Sequence, residues 1–156
     1  MRFIADSNVG RLGRWLRIAG FDTLCASGID DNRLVRIALD EGRVLLTRDT
    51  HILERRVVTS GRLKVVLIHD DEVRAQLGQV ITALELAGEL NPFSRCVECN
   101  ASLQWIEKEH VQGLVPLYVY RTQAHYMRCP ECGRVFWRGT HWERMKEDLE
   151  RVVGKV

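Results

Sequence analysis

Several features are missing from this 156-residue chain, and each absence narrows its chemistry. No apolar run is long enough to cross a bilayer; the run Lys64-Val65-Val66-Leu67-Ile68 stops far short of the ~20 residues a spanning helix needs. An export signal is not expected either, because Asp6 interrupts the apolar start Met1-Arg2-Phe3-Ile4-Ala5 where such a signal would continue. A cytosolic location follows as an expectation. The chain has no GxxxxGK[ST] loop, and Gly10-Arg11-Leu12-Gly13 is not a GxGxxG fingerprint, which argues against a P-loop or dinucleotide enzyme. Internal repeats and low-complexity segments are also absent. A large charge imbalance is lacking as well: the net charge of +2 does not by itself imply a polyanion partner.

The composition that remains is that of a folded protein, 46% hydrophobic and 28% charged. Charge is distributed unevenly. Residues 1–20 hold four arginines and one acid, and residues 121–146 hold five arginines and one lysine against two glutamates. Basic segments around a local acidic cluster suit an enzyme acting on nucleic acid, although solvated helix faces give the same counts.

The first 90 or so residues alternate between two periodicities. Residues 2–5 form a short apolar run, after which Leu12, Trp15, Leu16 and Ala19 recur at helical spacing and Gly20 ends the helix. Residues 22–26 read as a second strand. Asp31 stands where an N-cap would precede Leu34, Ile37 and Ala38, and Gly42 closes that helix. Residues 43–47 form a third strand, followed by a helix over about 49–58, a fourth strand over 62–69, and a longer helix marked by Val73, Leu77, Val80, Ile81 and Leu84. This alternation predicts an α/β fold with a parallel sheet buried on both faces. The pattern breaks at Asn91-Pro92-Phe93, which sets a domain of residues 1–91 apart from a second unit of residues 92–156.

The second unit contains Cys96-Val97-Glu98-Cys99 and Cys129-Pro130-Glu131-Cys132-Gly133. A two-residue gap lets both sulfurs of a knuckle reach one ion, and two knuckles complete a closed tetrahedral zinc site of the structural kind. Redox pairs of this spacing open a helix after a strand, which these do not. Cys25 reads as a buried small hydrophobe, and His110, His125 and His141 as surface or packing residues. The 29 residues between Cys99 and Cys129 call for an inserted hairpin, and residues 114–120 and 135–137 look strand-like. A last helix is predicted over 142–152.

In a parallel sheet, ligands bind at the edge formed by the strands' C-terminal ends. Asp6 follows the first strand, Asp31 the second, Asp49 the third, and Asp70 and Asp71 the fourth. Asp22 begins a strand and belongs to the opposite edge. Clustered carboxylates need a cation between them, and hard oxygen ligands suit Mg²⁺ or Mn²⁺. Those ions activate water for phosphodiester hydrolysis. Capping is the competing role, with Asp31 and Asp49 as N-caps and Asp70 or Asp71 capping the last helix of this domain. Arg11, Arg14 and Arg17 lie opposite the first helix's apolar face, where they offer phosphate contacts or a solvated face. Arg48, beside Asp49, is the better-placed phosphate contact. An aspartyl phosphoacceptor domain is disfavoured, since no acidic pair follows the first strand and Lys64 begins its strand rather than ending one.

Asp6, the stretch Leu16-Arg17-Ile18-Ala19-Gly20-Phe21-Asp22, Asp31, and Gly42-Arg43-Val44-Leu45-Leu46-Thr47-Arg48-Asp49 resemble the PIN-like domain named after the C-terminal region of the Mut-seven exonuclease. Both cysteine knuckles and Trp137-Arg138-Gly139-Thr140-His141-Trp142 extend the resemblance over nearly the whole chain. It implies a PIN-type fold with a zinc ribbon and a C-terminal helix. It also implies Mg²⁺- or Mn²⁺-dependent ribonuclease activity on single-stranded or structured RNA. The acids carried over are Asp6, Asp31 and Asp49, with Asp71 or Asp70 as the fourth; Asp6 and Asp49 would hold the ion. Related domains often have an acid two residues after the third of these, where this chain has His51. The runner-up is a non-catalytic module that docks RNA or a ribonucleoprotein. Trp105, Tyr118, Tyr120, Tyr126, Trp137 and Trp142, beside Arg128, Arg134 and Arg138, would be its stacking surfaces, with packing of the small ribbon core as the competing role for most of these aromatics.

Overall fold

A computed structural model describes residues 1–154. Four short strands, β1 (Arg2–Ala5), β2 (Asp22–Cys25), β3 (Val44–Thr47) and β4 (Val65–Leu67), form an all-parallel sheet in the order β2-β1-β3-β4. The register pairs Ala5 with Cys25 on one side and with Leu46 on the other. Strand order reverses between β1 and β3, because the chain leaves β1 toward one edge and returns from β2 to the other side.

Side chains alternate across this sheet as the two-residue strand period requires. Phe3, Ala5 and Leu46 enter one apolar cluster, with Leu12 and Leu16 of α1 (Gly10–Ile18) and Leu77 and Ile81 of α4 (Val73–Ala83). Ile4 and Leu45 enter a second, with Leu34, Val35 and Ala38 of α2 (Asp31–Asp40) and Ile52. The sheet is therefore buried on both faces, which explains its continuous apolar runs. Each fully buried leucine contributes about 1.5–3 kcal/mol. The C-terminal helix α6 (Thr140–Val153) packs against α4 and adds Leu149 and Val152 to the first cluster.

The remaining strands, β5 (Gln104–Ile106), β6 (Tyr126–Arg128) and β7 (Val135–Trp137), form an antiparallel sheet in sequence order. One face closes on Tyr126, Val111 and Val115. Among the described residues, no helix is long and apolar enough to cross a membrane.

Four local expectations need correction. Residues 114–120, read as strand-like, instead lead into the helix α5 (Leu117–Thr122). Pro116 is its N-cap, and its carbonyl accepts from the Tyr120 amide, so turn geometry overrides the β-branched and aromatic composition. The helix expected over 49–58 divides into a 3-10 turn, Thr50–Glu54, and the short α3 (Arg56–Thr59), because Arg55 between them is extended. The N-cap of α2 is Asp30, whose carboxylate accepts from the Arg33 amide at 2.8 Å, and Asp31 is the first helical residue. Arg17 is buried rather than solvated: its guanidinium donates to the carbonyls of Thr23, Val97 and Glu98.

Arg17 belongs to the contact that seats the first cysteine knuckle on the sheet. β2 is an edge strand, and the Thr23 amide on its free side donates to Asn100 Oδ1 at 2.9 Å. Asn100 Nδ2 donates to Asp22 Oδ1 at 2.7 Å, and Arg43 Nη1 donates to the same oxygen at 2.7 Å. Asn100 turns the knuckle with φ 67°, a left-handed conformation that asparagine tolerates better than most residues. Edge pairing that would otherwise be open to another chain is thus closed from within. Burial acts to raise the Asp22 carboxyl, but hydrogen bonds from Arg43, Asn100 and Arg2 outweigh it and bring it down to about 2.

Candidate active site and metal centre

The acidic site begins where β1 ends. The Asp6 amide continues the ladder by donating to the Leu46 carbonyl at 2.9 Å, so Asp6 stands beside the end of β3. Asp6 Oδ1 accepts from the Ser7 amide at 2.6 Å; Oδ2 accepts from Thr47 Oγ1 at 2.7 Å and Asn8 Nδ2 at 3.1 Å. Thr47 Oγ1 in turn accepts from the Asp49 amide at 3.0 Å. One buried hydroxyl therefore ties Asp6 to the backbone of Asp49 at the point where strand order reverses. Asp49 also caps the 3-10 turn, accepting from the His51 amide through Oδ1. Capping and site membership are compatible, because among the described residues Asp49 Oδ2 accepts no hydrogen bond.

The other predicted acids are held differently. Asp31 is exposed and lies 3.9 Å from Arg55 Nη2. Asp71, 90% exposed, pairs with Arg48 Nη1 at 2.6 Å, so Arg48 is engaged by an acid rather than free. Asp70 is exposed, and its carbonyl accepts from Gln76. Neither Asp70 nor Asp71 caps α4, since Glu72 does. Of the basic residues, Arg11 and Arg48 line a cavity of about 380 Å³ together with Ser7, Asn8, Asp71 and Gln76. Arg14 instead pairs with Glu98 at 2.7 Å.

Three positions in this network were not picked out from sequence. Ser7 and Asn8 form a polar pair directly after an apolar strand, a signal that was available. Thr47 was visible within Thr47-Arg48-Asp49, but its bridging role depends on β1 and β3 being neighbours.

The cysteines converge. Among the described residues, Cys96, Cys99, Cys129 and Cys132 are the one set of three or more His, Cys, Asp or Glu whose ligand atoms all lie within 4.8 Å of one another. Cys96 Sγ and Cys132 Sγ are 3.8 Å apart. That is no disulfide, and it matches the edge of about 3.8 Å expected for a tetrahedron with Zn–S bonds near 2.3 Å. Each knuckle turns a backbone amide toward its first sulfur, Cys99 N to Cys96 Sγ and Cys132 N to Cys129 Sγ. Gly133 at φ 74° occupies the position that Asn100 fills in the first knuckle. The Arg134 amide holds the Cys132 thiol down to about 7, while the hydrogen bond with Cys132, with burial, pushes Cys99 up to about 12. Four soft sulfur donors at this spacing can hold a zinc ion.

A comparison with known families decides the assignment: the family described as the Mut7-C RNAse domain matches residues 1–149. The chain belongs to that family. No curated protein and no solved structure matches the chain. Membership in the Mut7-C family makes this a ribonuclease-type domain, with RNA as its general substrate class. The Mut7-C match runs through both the acidic edge and the four cysteines, so both belong to one family unit.

Proposed function

We propose that the chain is a cytoplasmic, metal-dependent ribonuclease of PIN type that hydrolyses RNA phosphodiester bonds at the C-terminal edge of its parallel sheet. Residues 1–91 would be the nuclease unit, and residues 92–156 a zinc ribbon with the C-terminal helix. The observation that carries this reading is the hydrogen-bonded chain Asp6–Thr47–Asp49 at the strand-order reversal of a Mut7-C RNAse domain. Asp6 and Asp49 would hold Mg²⁺ or Mn²⁺; when bound, such an ion lowers the pKa of an attacking water and offsets charge on the phosphate oxygens. Thr47, Ser7 and Asn8 fix the Asp6 carboxylate so that little reorganisation is needed. Asp31 and Asp71 would complete the acidic rim, with Asp71 released when an RNA phosphate takes its place on Arg48. Arg11 and Arg14 would receive the RNA backbone on the first turns of α1. Zinc on the four cysteines would stabilise the ribbon, whose buried apolar core is small.

One observation favours a second reading, a non-catalytic module that binds RNA or a ribonucleoprotein. Among the described residues, the carboxylates of Asp6, Asp31, Asp49 and Asp71 do not form a set with ligand atoms all within 4.8 Å, as the cysteines do. Incubating zinc-loaded protein with labelled single-stranded and structured RNAs, with Mg²⁺, with Mn²⁺, or with neither, separates the two. Products that need the added ion support the nuclease. RNA bound but left intact across the panel transfers the assignment to the binding module.

A further inference from the structure

The antiparallel ribbon sheet is covered on one face only. Cross-strand partners share a face, so Ile106, Tyr126 and Trp137 point to the side closed by Val111, Val115 and Val119. The next rung, Trp105–Met127–Phe136, points the opposite way, where none of the three joins an apolar cluster. Trp105 is 67% exposed, Met127 and Phe136 are half-buried, and the His125 ring meets Trp105 edge-on at 5.4 Å. A row of flat and polarizable side chains thus lies open across three strands.

Positive charge surrounds the β6 and β7 part of this row, and Glu107, two residues after Trp105, is the acid at its β5 end. No acid occurs between Glu109 and Glu131, a stretch that includes the whole of β6. Arg134 stands two residues before Phe136, where the Cys129 amide continues the ladder to its carbonyl, the spacing that sends extended side chains to one face, while Arg138 packs over the Trp142 ring at 5.3 Å. The positive charge also continues toward the acidic edge. Glu98 Oε1 lies 2.7 Å from Arg14 and 3.6 Å from Arg134, which brings those two arginines together across one carboxylate. Arg14 is one turn along α1 from Arg11, which lines the cavity beside Asp6 with Arg48. Arg11, Arg14 and Arg134 therefore link the acidic edge to the aromatic row.

We propose that this face binds single-stranded RNA, its bases stacking on Trp105, Met127 and Phe136 while Arg11, Arg14 and Arg134 carry the backbone toward the acidic edge. The proposal rests on the ribonuclease reading for the polarity of that path, and it adds a substrate-holding surface that the sheet edge does not supply. Bases stack on aromatic rings with little regard to sequence, so the face favours unpaired RNA of adequate length over any particular motif.

The test is fluorescence anisotropy with a labelled oligouridylate of about 16 nucleotides, the upper end of the range covered by compact single-strand binders. Buffers would lack added Mg²⁺ and Mn²⁺. Trp105→Ala and Phe136→Ala should each weaken binding about 5- to 150-fold, the range found when a stacking ring is truncated. Trp105→Tyr should restore most of the affinity, and zinc content should match wild type in every variant. Affinity for the long RNA within twofold of wild type in zinc-loaded Trp105→Ala would overturn the proposal. So would self-association abolished by Trp105→Ala in a protein with no RNA affinity, which would assign the face to a second copy of the chain. Trp105-dependent binding, with no cleavage when Mg²⁺ or Mn²⁺ is then added, leaves this proposal standing and removes the nuclease reading. Cleavage with Trp105-independent binding does the reverse.

Discussion

Replacing Asn100 with glycine tests how the cysteine knuckle is fastened to the sheet. Glycine keeps the left-handed φ of 67° available, so the substitution removes only the side-chain contacts. Two are lost. The Asn100 Nδ2 donor to the charged Asp22 carboxylate, at 2.7 Å, is worth about 1.5–3 kcal/mol. The Thr23 amide on β2 loses its acceptor at 2.9 Å, and a partly buried orphan of this kind costs about 1 kcal/mol. The sum is about 2.5–4 kcal/mol, which lowers the melting temperature by roughly 5–15 °C for a chain of this size. Asn100→Asp is the sharper variant: it retains the acceptor for Thr23 but sets a second carboxylate against Asp22. It should be less stable than Asn100→Gly at pH 7 and recover part of the difference near pH 4, where a protonated carboxyl can donate. Thermal melts followed by circular dichroism at matched zinc content measure both. An Asn100→Gly melt within about 1 °C of wild type would refute the claim that this side chain joins the knuckle to the edge strand.

The depressed Asp22 carboxyl predicts an acid-labile contribution. With the group at about 2 folded and 3.8 as an ordinary aspartate, its stabilisation is complete above about pH 4 and fades as pH falls toward 2. Discounted for the partial exposure of the side chain, it amounts to about 1–2 kcal/mol. Urea melts of wild type and Asp22→Asn should therefore differ at pH 7 and converge toward pH 2, and a constant gap would contradict the linkage. Removing zinc with a strong chelator should abolish the near-ultraviolet signal of the ribbon, since among the described residues its buried apolar cluster is no larger than Val111, Val115 and Tyr126. Cys96→Ser should do the same, and acid should release the metal as protons compete for the thiolates. A ribbon that keeps its signal after the metal is gone would show that it folds without zinc.

The sequence revealed most where chemistry is local. Two cysteine knuckles announce their site through spacing alone, and the alternation of short apolar runs with helical stripes is enough to imply a parallel sheet. Asp6 was identifiable because an acid directly after an apolar strand has no propensity reason to stand there. Contacts between distant segments were less legible. Arg17 looked like one of three cations on a helix surface, yet three carbonyls from β2 and the knuckle take it out of solvent. Its spacing from Gly13 and Gly20 was a usable hint, because both glycines face close neighbours that a Cβ would strike. Residues 117–122 misled because Leu117-Tyr118-Val119-Tyr120 has strand-forming composition, while Pro116 and the packing on Tyr126 determine a helix. Asp30 and Asp31 show the limit of capping rules, since two adjacent acids satisfy the same pattern and only the Arg33 amide distinguishes them.

The most direct test of the proposed site is the single-turnover rate of RNA hydrolysis in Mn²⁺ for wild type, Asp6→Asn and Asp49→Asn, each with zinc content and melting temperature measured alongside. If these two carboxylates hold the ion, both variants should lose about a hundredfold or more in rate while retaining their zinc and their fold. Hydrolysis at the wild-type rate in either folded, zinc-loaded variant would contradict the assignment.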